Sequence, residues 1–358
     1  MRVLQITSST FIGGGERHVA DLSRALFDRG HDVFVAIAPG AKLRGELDFL
    51  PNARIAEFPL RNAMDVATAT KIARFVRENE IDLIHAHVGR DYPIAAIASR
   101  ISRAPFVITR HVLFPMTRLH KLLLRNVRAV IAPSNAVAKS LRYQRIFPDE
   151  KIVTVQHGLD TSKYQIHRRS NGESFVVGSV GNLDPVKGFD ILIHAAAIAV
   201  KRIPQLRFEI VGTDRAKDLH NERELLDLIS KLHLEKHIEL RGATNDIAGE
   251  LNRFDLYVSA SRSESFGYAI AEAMLGGVPV IASETEGAKE IISNPSVGRL
   301  VPAESPVALA EAIIELFDDP GARADLARDA RLHVENNFSI ARMANETEAT
   351  YRRAVGSE

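Results

Sequence analysis

The sequence contains no cysteine. Disulfides and thiolate metal sites are therefore excluded, which fits a reducing compartment. No run of about 18 apolar residues occurs, so no segment is expected to span a membrane. The opening Met1-Arg2-Val3-Leu4-Gln5-Ile6 reads as a first strand and not as a signal peptide. Short-period repeats and low-complexity tracts are also missing. Residues 92–148 lack any Asp or Glu but hold ten Lys and Arg. This one-sided stretch belongs to a wider asymmetry. Residues 1–165 carry 24 Lys and Arg against 15 Asp and Glu, a net of +9, and the remainder carries 22 against 30, a net of −8. A basic field of this kind attracts phosphates, lipid head groups or nucleic acid. Its aromatic residues, Tyr92, Phe106, Phe114, Tyr143 and Phe147, are scattered and form no stacking platform, which argues against nucleic acid.

At 358 residues, the chain exceeds what one core usually serves, so two domains are expected. Short apolar runs alternate with helix-period segments. Strands are expected at 3–6, 33–38, 83–85, 106–109, 129–132 and 152–155, and again at 175–180, 207–211, 237–240, 256–259 and 278–282. Strands alternating with helices imply parallel βαβ units. The polar stretch 161–174 is the expected linker. The reading is an α/β protein with two Rossmann-like domains facing across a cleft, 1–165 and 166–339, with a final helix at about 340–358 returning to the first.

Three loops stand where such domains bind ligands. Gly13-Gly14-Gly15-Glu16 follows the first strand and opens a helix, where bare N–H groups and the helix dipole favour an anion. The dinucleotide pattern G-x-G-x-x-G would need glycine at His18, and Pro39-Gly40 stands where a ribose-binding acid would end the second strand, so an oxidoreductase is disfavoured. Gly181-Asn182-Leu183-Asp184-Pro185-Val186-Lys187-Gly188 follows the first strand of the second domain, and Lys187 there can neutralise a diphosphate. Ser261-Arg262-Ser263-Glu264-Ser265-Phe266-Gly267 leads into a helix carrying Glu272. Glu264 in the loop can accept hydrogen bonds from sugar hydroxyls, Glu272 can accept from ribose hydroxyls, and the N–H groups near Phe266 and Gly267 can meet phosphate. Glu272 lies between Ala271 and Ala273 on an apolar helix, so burial with partners is expected. Taken singly, each feature is also compatible with a tight turn, a surface lysine or a solvated helix acid.

The order of the glycine loop, Lys187-Gly188 and Glu264-x7-Glu272 resembles glycosyltransferase family 4, retaining enzymes of the GT-B architecture, over nearly the whole chain. Val155-Gln156-His157-Gly158-Leu159-Asp160 is similar to the family's interdomain segment, where asparagine usually precedes the glycine. The resemblance implies that Glu264 contacts the donor sugar, Glu272 the ribose and Lys187 the diphosphate. It places Gly14 and Gly15 near phosphate and acceptor and makes His111 the active-site histidine beside the donor sugar. Asp91 resembles a similarly placed aspartate in lipopolysaccharide-core glucosyltransferases. Asn182 departs from the arginine that the family often places there as a second diphosphate cation. Asn182 and Gly212 are further donor-binding candidates, and the backbone around Arg241-Gly242 is the expected neighbourhood of the donor base.

The implied reaction moves a hexose from a nucleoside-diphosphate sugar, with uridine favoured, to a hydroxyl of a glycan, lipid-linked or lipopolysaccharide-type acceptor. Fixed cations and N–H groups would meet the charge of the departing diphosphate. No cofactor is implied, and no metal. There is no Asp-x-Asp at a strand end, and His85-Ala86-His87 is read as pointing its side chains in alternating directions. A nucleotide-sugar epimerase and a non-catalytic nucleotide-sugar-binding protein are the alternatives.

Finally, residues 114–130 have the composition of a basic amphipathic helix after Pro115. Arg118, Lys121, Arg125 and Arg128 are expected on one face, with Leu119, Leu122, Leu123 and Leu124 packing on the core. The expectation is a cytoplasmic enzyme held peripherally at the inner face of an anionic membrane.

Overall fold

The computed structural model describes residues 1–60, 65–165, 174–216, 218–244 and 246–356. Two compact units emerge, one of Met1–Leu159 with Phe338–Glu358, the other Asp160–Asn337. The division precedes the boundary expected after residue 165. The reason is Tyr164, which is buried in the second unit with its hydroxyl on Glu272. Of the expected linker, residues 166–173 lie outside the described residues.

The first unit contains β1 (Arg2–Thr7), α1 (Gly14–Asp28), β2 (Asp32–Ile37), β3 (Ile55–Glu57), α2 (Val66–Glu78), β4 (Leu83–Ala86), α3 (Tyr92–Ser102), β5 (Phe106–Thr109), α4 (Arg118–Leu123), β6 (Val127–Ala132), α5 (Asn135–Gln144) and β7 (Ile152–Thr154). Its strands pair in parallel in the order β3-β2-β1-β4-β5-β6-β7. Successive residues of β1 serve opposite faces, as a period of two requires. Leu4 and Ile6 join the core with Ile72 and Ile94, and Val3 joins the core with Val19 and Leu22 of α1. Gln5, on the Val3 face, is fully buried and polar, and its amide donates to Tyr351 Oη at 3.2 Å.

The second unit contains β8 (Phe175–Val180), α6 (Phe189–Arg202), β9 (Leu206–Val211), α7 (His220–Lys231), β10 (Ile238–Leu240), α8 (Ile247–Leu251), β11 (Leu256–Ser259), α9 (Tyr268–Leu275), β12 (Val280–Ser283), α10 (Glu286–Ile291), β13 (Arg299–Val301), α11 (Pro306–Asp318) and α12 (Pro320–Asn337). Its parallel order is β10-β9-β8-β11-β12-β13. The last helix, α13 (Ile340–Val355), packs on the first unit through Met343 and Tyr351. β3 and β13 were not expected. Each is a three-residue edge strand.

The basic segment differs from its expected form. α4 has only six residues, and the chain then turns into β6, so Arg128 lies on a strand. The leucines do not all face the core either. Leu124 is buried, but Leu119 and Leu122 are about 60% exposed and Phe114 is 71% exposed. A helix of six residues cannot bury all its sides.

Candidate functional site

In both sheets the strand order reverses beside the first strand, between β1 and β4 and between β8 and β11. Loops leaving the carboxyl ends of such neighbours diverge and leave a crevice for a ligand. All three loops singled out in the sequence leave these ends.

In the second unit, the chain turns after β8 through Gly181–Gly188. Gly188 has φ +64°, and a Cβ there would lie 2.1 Å from Ala260 O, so the loop is pressed against the end of β11. Arg262 fastens the two from the other side. Its N–H donates to Val186 O at 2.8 Å, and its guanidinium holds both carboxylate oxygens of Asp190 at 2.9 and 2.6 Å. Across this junction Lys187 Nζ donates to Glu264 Oε1 at 2.6 Å, and Ser261 Oγ donates to the same oxygen at 2.8 Å. Two residues 77 positions apart thus form one ion pair.

Glu272 is buried on α9, and Tyr164 Oη donates to its Oε1 at 2.7 Å. A buried carboxylate with a hydroxyl partner is what its position between two alanines implied. Burial, and then the charges of Glu264 and Glu272, push the Tyr257 hydroxyl up. Gly267, at φ +98°, turns the chain into α9, and Phe266 beside it is buried. Gly212, just past β9, lies where a Cβ would stand 1.7 Å from Gly181 O, and its N–H donates to Gly242 O at 2.8 Å. The carbonyl of Asn182 accepts from Asp184 N at 2.7 Å. The guanidinium of Arg241 is engaged by Glu209, Glu239 and Glu250 within 3.5 Å, so this side chain is committed to carboxylates of its own domain.

In the first unit, Gly13 N donates to Glu16 Oε2 at 2.9 Å at the start of α1, which contains Gly14 and Gly15. The ring of His111, just past β5, packs on Gly15, and a Cβ there would lie 3.6 Å from the ring's Cγ. Burial, and then Arg110, lower the His111 imidazole to about 3. Asp91, at the start of α3, is fully buried. Its Oδ2 accepts from Ser8 N at 2.7 Å, while its Oδ1 has no partner. Burial raises this carboxyl to about 6 against the hydrogen bonds from Ser8.

His85 and His87 correct the sequence expectation. Residues two apart on a strand share a face, and these rings lie 4.0 Å centre to centre. His87 also approaches His18 of α1 and His111, and His157 lies against His18. His18, His87, His157, Tyr164 and Gln5 were not identified as site residues. Of these only His87 carried a local signal, the strand geometry of residues 85–87.

Two family models match. The model for Glycosyltransferase Family 4 covers residues 12–163, and the model for Glycosyl transferases group 1 covers residues 160–333. Phosphatidyl-myo-inositol mannosyltransferase of Mycobacterium tuberculosis is 25% identical over 96% of this chain and 94% of its own. D-inositol 3-phosphate glycosyltransferase of Saccharomonospora viridis is 26% identical over 90% of this chain and 82% of its own. Among solved structures, Anabaena Alr3699/HepE in complex with UDP and glucose aligns at a TM-score of 0.87 with 25% identity, covering 98% of this chain and 99% of that one.

Proposed function

Because the chain belongs to the family 4 and group 1 glycosyltransferases of the GT-B type, we propose that it transfers a hexose, with retention, from a UDP-sugar to a hydroxyl of a glycan, lipid-linked or lipopolysaccharide-type acceptor. The observation that carries this reading is the convergence of Lys187, Glu264 and buried Glu272 around the β8–β11 crevice. In this assignment Glu272 accepts from the ribose and Lys187 meets the diphosphate. Glu264 accepts from the sugar, and the N–H groups at Phe266 and Gly267 add to the phosphate site. Gly212 and the backbone of Asn182 and Arg241 border the base. Within the first unit, this reading assigns site roles to His111, Asp91, Gly14 and Gly15. The uridine preference is supported by the UDP-bound relative, and the acceptor class by relatives named for inositol substrates.

Charge on the leaving diphosphate is the main barrier, and donors fixed in advance stabilise it most. Lys187 and the start of α9 supply them without a divalent ion at the diphosphate. Asp91, raised by burial, is suited to take a proton from an acceptor hydroxyl near neutral pH. Among the described residues no helix is long and apolar enough to cross a membrane. Exposed Phe114, Leu119 and Leu122 beside Arg118, Lys121 and Arg125 suit peripheral contact with an anionic membrane from the cytoplasmic side.

A thermal-shift series with UDP, GDP, ADP and their sugars tests the donor, since a ligand of the folded state raises the melting temperature. UDP-sugars should give the largest shift, and NMR of the product should show the donor's anomeric configuration kept. Isomerised donor in the absence of any acceptor would identify an epimerase instead.

A further inference from the structure

A carboxylate recognises a diol well only when both its oxygens are aimed in advance, because torsions frozen on binding cost affinity. The last torsion of a glutamate is broad and has no single staggered well. Burial of Glu272 on α9 does not by itself fix that torsion. A partner must hold the carboxylate.

That partner comes from the segment that opens the second unit, 108 positions away in sequence. Asp160 caps a short turn there, its Oδ1 accepting from Ser162 N at 3.1 Å and from Ser162 Oγ at 2.6 Å. The turn leads to Tyr164, which is buried and whose Oη donates to Glu272 Oε1 at 2.7 Å. This is the length of a charge-assisted O–H···O bond. The main chain of Tyr164 is fastened as well. Arg331 on α12 donates through Nη1 to Tyr164 O at 3.0 Å and to Leu275 O at 2.7 Å. Leu275 is the last residue of α9, and a cation suits the carbonyl end of a helix. Arg331 Nε donates in turn to Glu335 Oε1 at 2.7 Å. One guanidinium thus ties the backbone of the tyrosine and the helix of the glutamate together, so hydroxyl and carboxylate meet in a fixed frame.

We propose that Tyr164 is a positioning residue for the donor ribose, its hydroxyl fixing the Glu272 carboxylate in the orientation that accepts from the sugar. The inference rests on the reading that Glu272 binds the ribose. A phenol suits the task because it is neutral and orients the carboxylate without cancelling its charge. Lys187 does the opposite to Glu264. An ionised carboxylate offers about four lone-pair sites. Tyr164 takes one on Oε1 and a diol takes two, so phenol and ribose can be held together. Phenylalanine at this position would keep the ring packed and release the carboxylate.

The test is isothermal titration of the full-length protein with a nucleoside diphosphate and its 2′,3′-dideoxy counterpart, which lacks both ribose hydroxyls. The base is the one that binds most tightly in the thermal-shift series, which makes the pair UDP and 2′,3′-dideoxy-UDP in the expected case. Wild type should prefer the ribonucleotide, and Glu272→Ala should erase the preference. Tyr164→Phe should weaken the ribonucleotide by about 3- to 10-fold, the range of one hydrogen bond, and leave the dideoxy ligand unchanged. A general loss of packing would weaken both ligands alike, so the ratio separates positioning from a merely structural role. A preference absent from the wild type, or one that survives Glu272→Ala, overturns the ribose reading and this inference with it. A preference lost in Glu272→Ala but intact in Tyr164→Phe overturns this inference alone. Tighter ribonucleotide binding in Tyr164→Phe does the same, since the phenol would then be a competitor.

Discussion

Lys187 and Glu264 neutralise each other at 2.6 Å before any ligand arrives. A diphosphate reaching for Lys187 therefore competes with a carboxylate already in place. From this follows an asymmetric prediction for Glu264→Gln. Binding of bare nucleoside diphosphate should tighten by about fivefold, the scale of a partly exposed ion pair, while sugar transfer falls sharply. Isothermal titration with UDP beside a turnover assay checks both halves. Lys187→Ala should lower turnover as well as donor affinity, because its charge matters most as the leaving group develops. A rise in the Michaelis constant alone would reduce Lys187 to uniform binding. Glu272 is buried on Tyr164, so truncating it removes a charge-assisted acceptor. Glu272→Ala should weaken nucleoside-diphosphate binding by about 1.5–3 kcal/mol. Equal affinity in wild type and variant takes Glu272 out of the ribose site.

Between elements, close approach at the sheet edge matters more than any side chain. Gly212 lets the loop after β9 touch the loop after β8, with room for no Cβ against Gly181 O. Gly212→Ala must push these loops apart, at the roughly 1–3 kcal/mol typical of overpacking. Urea unfolding should show that loss, and UDP binding should weaken with it. A native midpoint with intact UDP affinity would show that the loops adjust freely. α4 poses a different question, because it exposes apolar and basic residues together. Each cation near an anionic surface contributes on the order of 1 kcal/mol. Lys121→Glu with Arg125→Glu should therefore release the protein from anionic vesicles at low salt. Flotation of the wild type that ignores anionic lipid would leave a soluble acceptor as the better reading.

For the molecule as a whole, the buried histidines set the response to acid. His18, His85, His87, His111 and His157 are all lowered, first of all by burial, and His85 and His111 reach about 3. The unfolded chain binds protons at these residues below its ordinary pKa near 6.5, and the folded chain does not. Their contribution to stability is complete above about pH 6.5 and is lost as pH falls towards 3. Each histidine can cost up to about 1.4 kcal/mol per pH unit in that window. Asp91 acts in the opposite sense, since its raised carboxyl binds a proton in the folded state first, but it is one group against five. Denaturant midpoints should fall steeply between pH 6.5 and 5. A flat profile there would mean the imidazoles reach water.

The sequence by itself determined the α/β alternation and the donor-side loops. Strands 106–109, 175–180 and 256–259 have the bounds read from the sequence, because apolar runs between turn residues are local signals. Burial of Glu272 was legible for the same reason, since its neighbours on α9 are apolar. Edge strands β3 and β13 were missed, although β7 and β10, edge strands of the same length, were read from the sequence. The amphipathic reading of 114–130 failed because composition cannot tell where a helix gives way to a strand. Only the tertiary structure decided which distant residues meet. Lys187 found Glu264, Tyr164 found Glu272, and histidines from α1 and from three strand ends came together. Those meetings depend on strand order, and strand order is set by how all the strands pack, not by any one stretch of sequence.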